Sequence, residues 1–194
     1  MRILISPAKK MREDLDSFAP EGLPRFLGEA EQLKLLLQSM PPKDLKTLWK
    51  CNDAIAALNV ERLAAMDLSR SLTPAILSYE GIQYRYMAPT VFERSQLDYI
   101  RDHLRILSGF YGLLRPFDGV TPYRLEMQAK LAVDGCRDLY AFWGGALAEA
   151  LAAETDLVVN LASKEYSKAV EPHLPPSVPE NAILRSSSTR SKLR

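Results

Sequence analysis

The sequence predicts a single domain of mixed α/β (α+β) structure. The chain has 194 residues, a length that one domain with one core normally accommodates. Short apolar runs suited to buried strands occur near both ends, at residues 2–6 and 157–161, and helical patterns lie between them. Strands separated by helices are typical of α/β architecture, but the pattern does not reveal the order of the strands.

The first half of the chain is predicted to open with a strand and to continue as helices. The apolar run at residues 2–6 forms the strand, and residues 14–25 are expected to be irregular. Apolar side chains over residues 26–37 recur at helical spacing. The same period continues over residues 43–66 with a break at Leu58-Asn59, which predicts a helix-hairpin-helix element.

The second half alternates further helices with a second buried strand. Residues 75–79 fit a strand, and a capping-box-like start at Ser95 predicts a helix that ends at Gly109. Residues 110–127 are rich in glycine and proline and are expected to form loops. The elements that follow are a helix opened by Asp138, a strand at residues 157–161 and a short helix capped by Ser163.

The charge balance excludes a protein that binds polyanions over its whole surface. Lys plus Arg number 25 and Asp plus Glu 24, so the net charge is +1 and any nucleic-acid site depends on a local basic patch. No run is long enough for a membrane span, and the N-terminal apolar run is too short for a signal peptide. These observations predict a cytoplasmic protein with no membrane partner.

Cysteine and histidine are too scarce and too scattered to predict a metal site. Cys51 and Cys136 occur in unrelated contexts, and the two histidines are His103 and His173. Neither histidine accompanies a nucleophile in a recognisable elbow, which disfavours a Ser-His-Asp hydrolase. We therefore expect no cofactor, metal or catalytic residues, and we favour a non-enzymatic protein.

The densest group of polar residues occupies residues 108–127. Two arginines there carry planar guanidinium groups suited to phosphate or carboxylate, and two tyrosines could stack on a base or a sugar. These residues are Arg115, Arg124, Tyr111 and Tyr123. The alternative is a structural loop in which Arg115 pairs with Asp118 and Arg124 pairs with Glu126, and the residues alone leave both interpretations open.

Two further basic groups follow the predicted strands. Lys9 and Lys10 follow the first strand, and Ser163, Lys164 and Lys168 follow the second, where a helix begins. Backbone N–H groups and lysines at such a position suit an anion. The alternative for both groups is an ordinary loop or capped helix with solvated lysines, and no P-loop pattern occurs in the chain.

The helix-hairpin-helix pattern at residues 43–66 is a further candidate. Elements of this kind hold the DNA backbone through N–H groups of the turn and nearby cations, without reading sequence. Asn59 tolerates the backbone of a tight turn and Arg62 lies close by, although the usual glycines are missing. The residues by themselves favour the alternative, an αα-hairpin that only packs on the core.

Several longer motifs occur in a fixed order along the chain. They are Ile3-Leu4-Ile5-Ser6-Pro7-Ala8-Lys9, Leu107-Ser108-Gly109-Phe110-Tyr111-Gly112-Leu113-Leu114-Arg115-Pro116, Pro122-Tyr123-Arg124-Leu125-Glu126-Met127, Leu139-Tyr140-Ala141-Phe142-Trp143-Gly144 and Asn160-Leu161-Ala162-Ser163-Lys164-Glu165-Tyr166. In this order they resemble the YaaA-type peroxide stress resistance family. The resemblance covers residues 1 to about 172.

The resemblance implies a cytoplasmic bacterial protein that limits damage during hydrogen peroxide stress. It implies a role in keeping free intracellular iron low, which restrains oxidative damage to DNA. It also implies an unusual α/β fold with a positively charged cleft that binds DNA and includes a helix-hairpin-helix element. DNA is therefore the expected partner, and neither a cofactor nor an oligomeric state is implied.

The C-terminal residues depart from the family pattern. Family members continue with a basic segment carrying a Lys-Ala-Arg-Gly type motif, whereas this chain consists only of Arg, Ser, Thr, Lys and Leu from Arg185 onward. We expect a YaaA-type domain over residues 1–172 and an irregular tail over residues 173–194. A frameshift or an early stop would explain such a tail and would leave the domain incomplete.

The leading hypothesis is a DNA-binding protein of the peroxide stress response that does not read sequence. Its predicted phosphate contacts are Lys9, Lys10, Asn59, Arg62, Arg115, Arg124, Ser163, Lys164 and Lys168, and its predicted stacking residues are Tyr111 and Tyr123. The second hypothesis is an enzyme acting on a nucleotide or another phosphate-bearing small molecule, with Asp118 or Glu126 as base or metal ligand. The third is a scaffold whose polar loops pair only with each other.

Overall fold

A computed structural model describes residues 1–176 and 184–185. Its strands, in chain order, are β1 (Arg2–Ile5), β2 (Lys10–Met11), β3 (Thr73–Pro74), β4 (Tyr79–Glu80), β5 (Leu104–Ser108), β6 (Gly112–Leu114), β7 (Gly119–Val120), β8 (Val158–Asn160) and β9 (Leu184–Arg185). The main sheet has five strands in the order β6-β5-β1-β8-β9, and the other strands form two small pairs, β2 with β4 and β3 with β7.

The helices of the described residues lie between the strands along the chain. They are α1 (Leu27–Gln38), α2 (Pro42–Trp49), α3 (Asp53–Ala64), α4 (Ala75–Ser78), α5 (Ile82–Met87), α6 (Arg94–His103), α7 (Leu139–Trp143), α8 (Ala146–Ala152) and α9 (Lys164–Ser167). Two short 3-10 helices span Pro89–Val91 and Glu171–His173. The mixed α/β prediction is therefore confirmed.

The first strand lies at the centre of the sheet. It runs parallel to β5, with Ile3 opposite Leu104, and parallel to β8, with Ile3 opposite Val159. The strands β1, β5 and β8 consequently end on the same side, which we call the carboxyl edge, and begin on the opposite side, the amino edge. The predicted strands at residues 2–6 and 157–161 are confirmed as β1 and β8.

The turn of the helical hairpin lies about two helical turns earlier than the sequence predicts. The turn is at residues 50–52, where Lys50 adopts the left-handed conformation and the Asn52 side chain caps α3 by accepting a hydrogen bond from the Ile55 N–H. The predicted break at Leu58-Asn59 is wrong, because Asn59 lies inside α3 and donates from its side chain to the Ile55 carbonyl.

Three other boundaries also differ from the prediction. The capping box that opens α6 is formed by Glu93 and Gln96. The helix ends at His103, and β5 begins at the next residue. Residues 75–79 form α4 and the start of β4 instead of one strand. The helix capped by Asp138 stops at Gly144, which has a φ of 46°, and resumes as α8.

The segment predicted as loops, residues 110–127, is largely buried. Gly109 packs so closely under Leu125 that a Cβ on it would lie 2.7 Å from the Leu125 carbonyl oxygen. The indole N–H of Trp143 donates to the Gly109 carbonyl at 3.1 Å, which ties α7 to the end of β5. This close packing places the segment within the core, where it carries β6 and β7.

The predicted irregular tail falls mostly on residues outside the described part of the chain. Its first residue, His173, is the last residue of the 3-10 helix that begins at Glu171, and the backbone of Leu184–Arg185 pairs with β8 in parallel. Among the helices that the structure describes, none combines the length and the apolar character that crossing a membrane requires.

Candidate functional site

The carboxyl edge brings together the loops that follow β1 and β8. The Ser163 N–H donates to the Ser6 Oγ at 2.8 Å, and the two serine Oγ atoms lie 3.3 Å apart. The phenolic O–H of Tyr84 donates to the Ser6 carbonyl at 2.9 Å. Ser163 precedes α9 without capping it through its own side chain, so its backbone serves to fix the two loops together.

Three charged side chains form two connected ion pairs at this edge. Lys9 Nζ lies 2.7 Å from Glu126 Oε2, and Arg124 Nη2 lies 3.2 Å from Glu126 Oε1. Arg124 is mostly enclosed, with 12% of its side chain exposed, and its Nε is buried without a hydrogen-bond partner. The Glu126 carboxylate therefore bridges one solvent-reaching cation and one enclosed cation.

A second carboxylate, Glu165, lies beside these ion pairs. Its Oε1 accepts a hydrogen bond from the Gln128 N–H at 3.3 Å, and its carbonyl accepts one from the Tyr140 O–H. Burial raises the pKa of Glu165, and the negative charge of Glu126 raises it further, while Lys9 opposes the shift. Glu165 is thus more easily protonated than an ordinary surface glutamate.

The remaining cations predicted near this edge are exposed. Lys10 pairs with Glu80 at 2.8 Å across the β2–β4 pair. Lys164 opens α9 and Lys168 follows its last residue; both are exposed, and neither forms an ion pair with another described residue. Together with Lys9, these lysines offer positive charge to a ligand that approaches from solvent.

The two predicted stacking residues are buried, which corrects that prediction. Tyr123 donates or accepts hydrogen bonds through its O–H with Ser108 Oγ at 2.7 Å and with Tyr79 at 2.9 Å. The Tyr111 hydroxyl meets Thr121 Oγ1 at 3.1 Å, and burial raises the pKa of Tyr111 to about 12. Their rings pack against each other and against Phe110, so neither presents a face to a base.

Arg115 lies at the amino edge, away from the other predicted phosphate contacts. Its Nε donates to Asp118 Oδ1 at 2.9 Å, and its backbone N–H donates to Asp118 Oδ2 at 2.8 Å. Burial raises the pKa of Asp118, and the hydrogen bonds and charge of Arg115 oppose that shift. The pairs Arg115–Asp118 and Arg124–Glu126, which were the alternative interpretation of these arginines, are both present.

Asn59 and Arg62 do not form the turn of the helical hairpin. Asn59 is buried within α3, and Arg62 donates from Nη2 to the Met11 carbonyl at 3.2 Å. The turn itself carries the exposed Lys50, and Lys46 on α2 pairs with Asp53 at the start of α3. Both lysines precede Asn52, and asparagine is a residue type that often caps a helix. This position is the sequence signal that could have identified them.

One charged cluster at the amino edge was not predicted from the sequence. Arg2 on β1 and Arg105 on β5 both donate to Oε2 of Glu154, at 2.9 and 2.8 Å. No sequence motif marks Glu154, because its partners come from strands far away in the chain.

Over residues 1–176 and 184–185, no group of three or more His, Cys, Asp or Glu residues is placed to hold a metal ion.

The fold and this edge define a class of protein: a mixed α/β domain whose parallel strands end at a cluster of lysine, arginine and glutamate side chains. A family model described as peroxide stress protein YaaA matches residues 1–184. Proteins named UPF0246 from Lachnoclostridium phytofermentans and Desulfitobacterium hafniense are each 56% identical over 88% and 90% of this chain, and the matches cover 67% and 69% of their own lengths. A UPF0246 protein from Pediococcus pentosaceus is 55% identical over 90% of this chain and 69% of its own length. The chain belongs to the YaaA peroxide stress protein family.

Proposed function

We propose that this chain binds the phosphate backbone of DNA without reading sequence during peroxide stress, and that it helps limit intracellular iron and oxidative damage to DNA. The observation that carries the proposal is the clustering of exposed lysines at the carboxyl edge, namely Lys9, Lys164 and Lys168. Ammonium groups that reach into solvent match phosphates on a duplex surface, and a local patch suffices although the net charge is only +1.

The helical hairpin supplies a second group of exposed cations. Lys50 projects from the turn between α2 and α3, and Lys43 is exposed at the start of α2. A helix end with nearby lysines suits a backbone phosphate, although Asp53 in the first turn of α3 offsets part of this charge. We include the hairpin in the proposed contact surface through Lys50, in place of Asn59 and Arg62.

The test is a salt titration of binding to a labelled duplex of arbitrary sequence. We expect the logarithm of the association constant to fall linearly with the logarithm of the salt concentration. The double variant Lys164→Gln and Lys168→Gln should reduce the slope by about 1 to 2, since each lost phosphate contact removes about 0.9. Equal binding to unrelated duplexes is expected.

Arg115→Gln is the comparison variant because it removes one positive charge at the opposite edge. It should leave the slope unchanged if the carboxyl edge binds the duplex, and thermal melting checks that each variant is folded. A folded wild-type protein that binds no duplex at low salt would overturn the proposal. A slope that depends on Arg115 and not on the lysines would move the contact surface to the amino edge.

The iron component is tested in cells. A strain without this protein should show more chelatable iron and more DNA strand breaks under hydrogen peroxide than the wild type. Complementation with the lysine double variant separates the roles: restored iron with unrestored strand breaks would show that DNA binding protects DNA independently of iron. Unchanged iron and unchanged strand breaks in the deletion strain would contradict this part of the proposal.

A further inference from the structure

The guanidinium of Arg124 is enclosed and incompletely satisfied. Its contact with Glu126, at 3.2 Å, is longer than the 2.7–2.9 Å of a strong charge-assisted hydrogen bond. Its Nε–H is buried and has no acceptor in the described residues. A buried guanidinium has five N–H donors and is normally held by several acceptors. An anion with more oxygen atoms than one carboxylate provides would satisfy this remaining donor as well.

The Glu126 carboxylate occupies the position that such an anion would take. One of its oxygens faces Lys9 and the other faces Arg124, so a single negative charge bridges two cations. The space left beside it is small, about 10 Å³, between Pro7, Tyr123 and Tyr166. The site is thus filled by the chain's own carboxylate, and any external anion has to displace it.

We propose that Arg124 and Lys9 form a binding site for a phosphate monoester, and that Glu126 is an internal competitor that occupies this site until the ester group replaces it. The proposal deepens the proposed function, because it names a specific ligand group at the same edge that is proposed to meet DNA. Glu126 keeps 18% of its side chain exposed, so a rotation of that side chain towards solvent opens the site. No bond is made or broken.

The enclosure of Arg124 selects a monoester over the diester of a continuous strand. A backbone phosphate of duplex DNA lies on a broad surface and cannot enter a site walled by Tyr123 and Tyr166. A terminal phosphate projects from its carrier, holds three free oxygens and carries about −1.5 to −2 charges at neutral pH. It therefore offers Arg124 and Lys9 more charge and more acceptors than Glu126 does.

Glu165 is a second carboxylate beside the proposed site. It lies near Glu126, and burial together with the charge of Glu126 raises its pKa. A ligand that takes the place of Glu126 would therefore also lie close to the Glu165 side chain.

The experiment measures binding by calorimetry at constant ionic strength, with inorganic phosphate, adenosine 5′-monophosphate and adenosine as probes. Glu126→Gln keeps the shape of the side chain and removes its charge, so it should tighten phosphate and nucleotide binding at least tenfold. Arg124→Gln in the Glu126→Gln background should abolish binding, and adenosine should bind to none of the variants. Glu80→Gln, which breaks the neighbouring pair with Lys10, is the matched control and should not tighten binding.

Two single-stranded oligonucleotides, with and without a 5′-phosphate, identify the source of the monoester. Tighter binding of the phosphorylated strand identifies a strand end as a ligand. Tight binding of adenosine 5′-monophosphate alone identifies a free nucleotide as the ligand. Either result supports the site. If Arg124→Gln does not fold, Lys9→Gln in the Glu126→Gln background replaces it. Folded Glu126→Gln protein that binds phosphate no better than Glu80→Gln overturns the proposal.

The proposed function and the proposed monoester site can be rejected independently of each other. Duplex DNA with unphosphorylated ends tests the lysine surface alone, because it presents no monoester to Arg124. Salt-dependent binding of that duplex together with no response to Glu126→Gln would retain the proposed function and reject this site.

Discussion

The guanidinium of Arg105 lies buried against the carboxylate of Glu154, with Nη2 2.6 Å from Oε2. Arg2 on the neighbouring strand donates to the same oxygen at 2.9 Å, so one carboxylate joins β1, β5 and the segment that leads into β8. Nη1 of Arg105 donates to the carbonyls of Arg101 and Leu104. This cluster closes the amino edge, while the carboxyl edge keeps its charges within reach of ligands.

Removing the shared carboxylate should destabilise the fold strongly. Glu154→Ala leaves Arg105 buried without its counter-charge, and breaking a buried pair from one side costs about 3 kcal/mol or more. Urea denaturation at neutral pH measures the change in the free energy of unfolding. Glu149→Ala on α8 removes an exposed carboxylate and should change it by less than about 0.5 kcal/mol. Equal effects of the two variants would contradict a stabilising role for the cluster of Arg2, Arg105 and Glu154.

The same carboxylate predicts a loss of stability in acid. Burial works to raise the pKa of Glu154, but hydrogen bonds and charges from Arg2 and Arg105 outweigh it and hold the pKa below its ordinary value of 4.5. A lowered pKa in the folded state contributes stability that is present above pH 4.5 and is lost as the pH falls through the folded value. Unfolding free energies of wild type and Glu154→Gln should therefore converge below pH 4.5, and a constant difference down to acid pH would exclude this linkage.

Gly109 should not tolerate a side chain. A Cβ there would lie 2.7 Å from the Leu125 carbonyl oxygen and 3.0 Å from the Met127 nitrogen, both of which are backbone atoms that cannot rotate away. Gly109→Ala is expected to lower the unfolding free energy by about 1–3 kcal/mol, as overpacking of a core does. The matched change Gly28→Ala meets open space in α1 and should raise stability by up to about 1 kcal/mol. Thermal melting compares the two, and a tolerated Gly109→Ala would contradict the packing.

The sequence predicts those parts of the fold that depend on local periodicity. The strands at residues 2–6 and 157–161 and the helix at residues 26–37 correspond to β1, β8 and α1. The hairpin turn was misplaced because asparagine often ends a helix, whereas Asn59 satisfies its side chain on the carbonyl one turn earlier. Glycine and proline made residues 110–127 resemble surface loops, although Gly109 allows close approach of two backbones in the core.

The contacts of the candidate site were also predictable from the sequence only in part. Pairs separated by two or three residues, Arg124–Glu126 and Arg115–Asp118, were accessible from the sequence as one of two interpretations. The bridge from Glu126 to Lys9 was not, because it depends on how the loop after β1 meets a segment more than a hundred residues away. Contacts of this kind follow from sheet order, and the sequence pattern leaves that order undetermined.

The hydroxyl of Tyr123 provides a direct test of whether its ring is buried or available for stacking. It joins Ser108 Oγ and the Tyr79 hydroxyl in the core, so Tyr123→Phe leaves buried polar groups short of a partner and should cost about 1–2 kcal/mol of unfolding free energy. A ring that faced solvent in order to stack on a base would lose almost nothing, because water would already satisfy its hydroxyl. Tyr86→Phe is the matched control, since Tyr86 is 83% exposed and should show no change. If both variants melt like the wild type, the core position of Tyr123 is contradicted and its stacking role returns as an explanation for DNA binding.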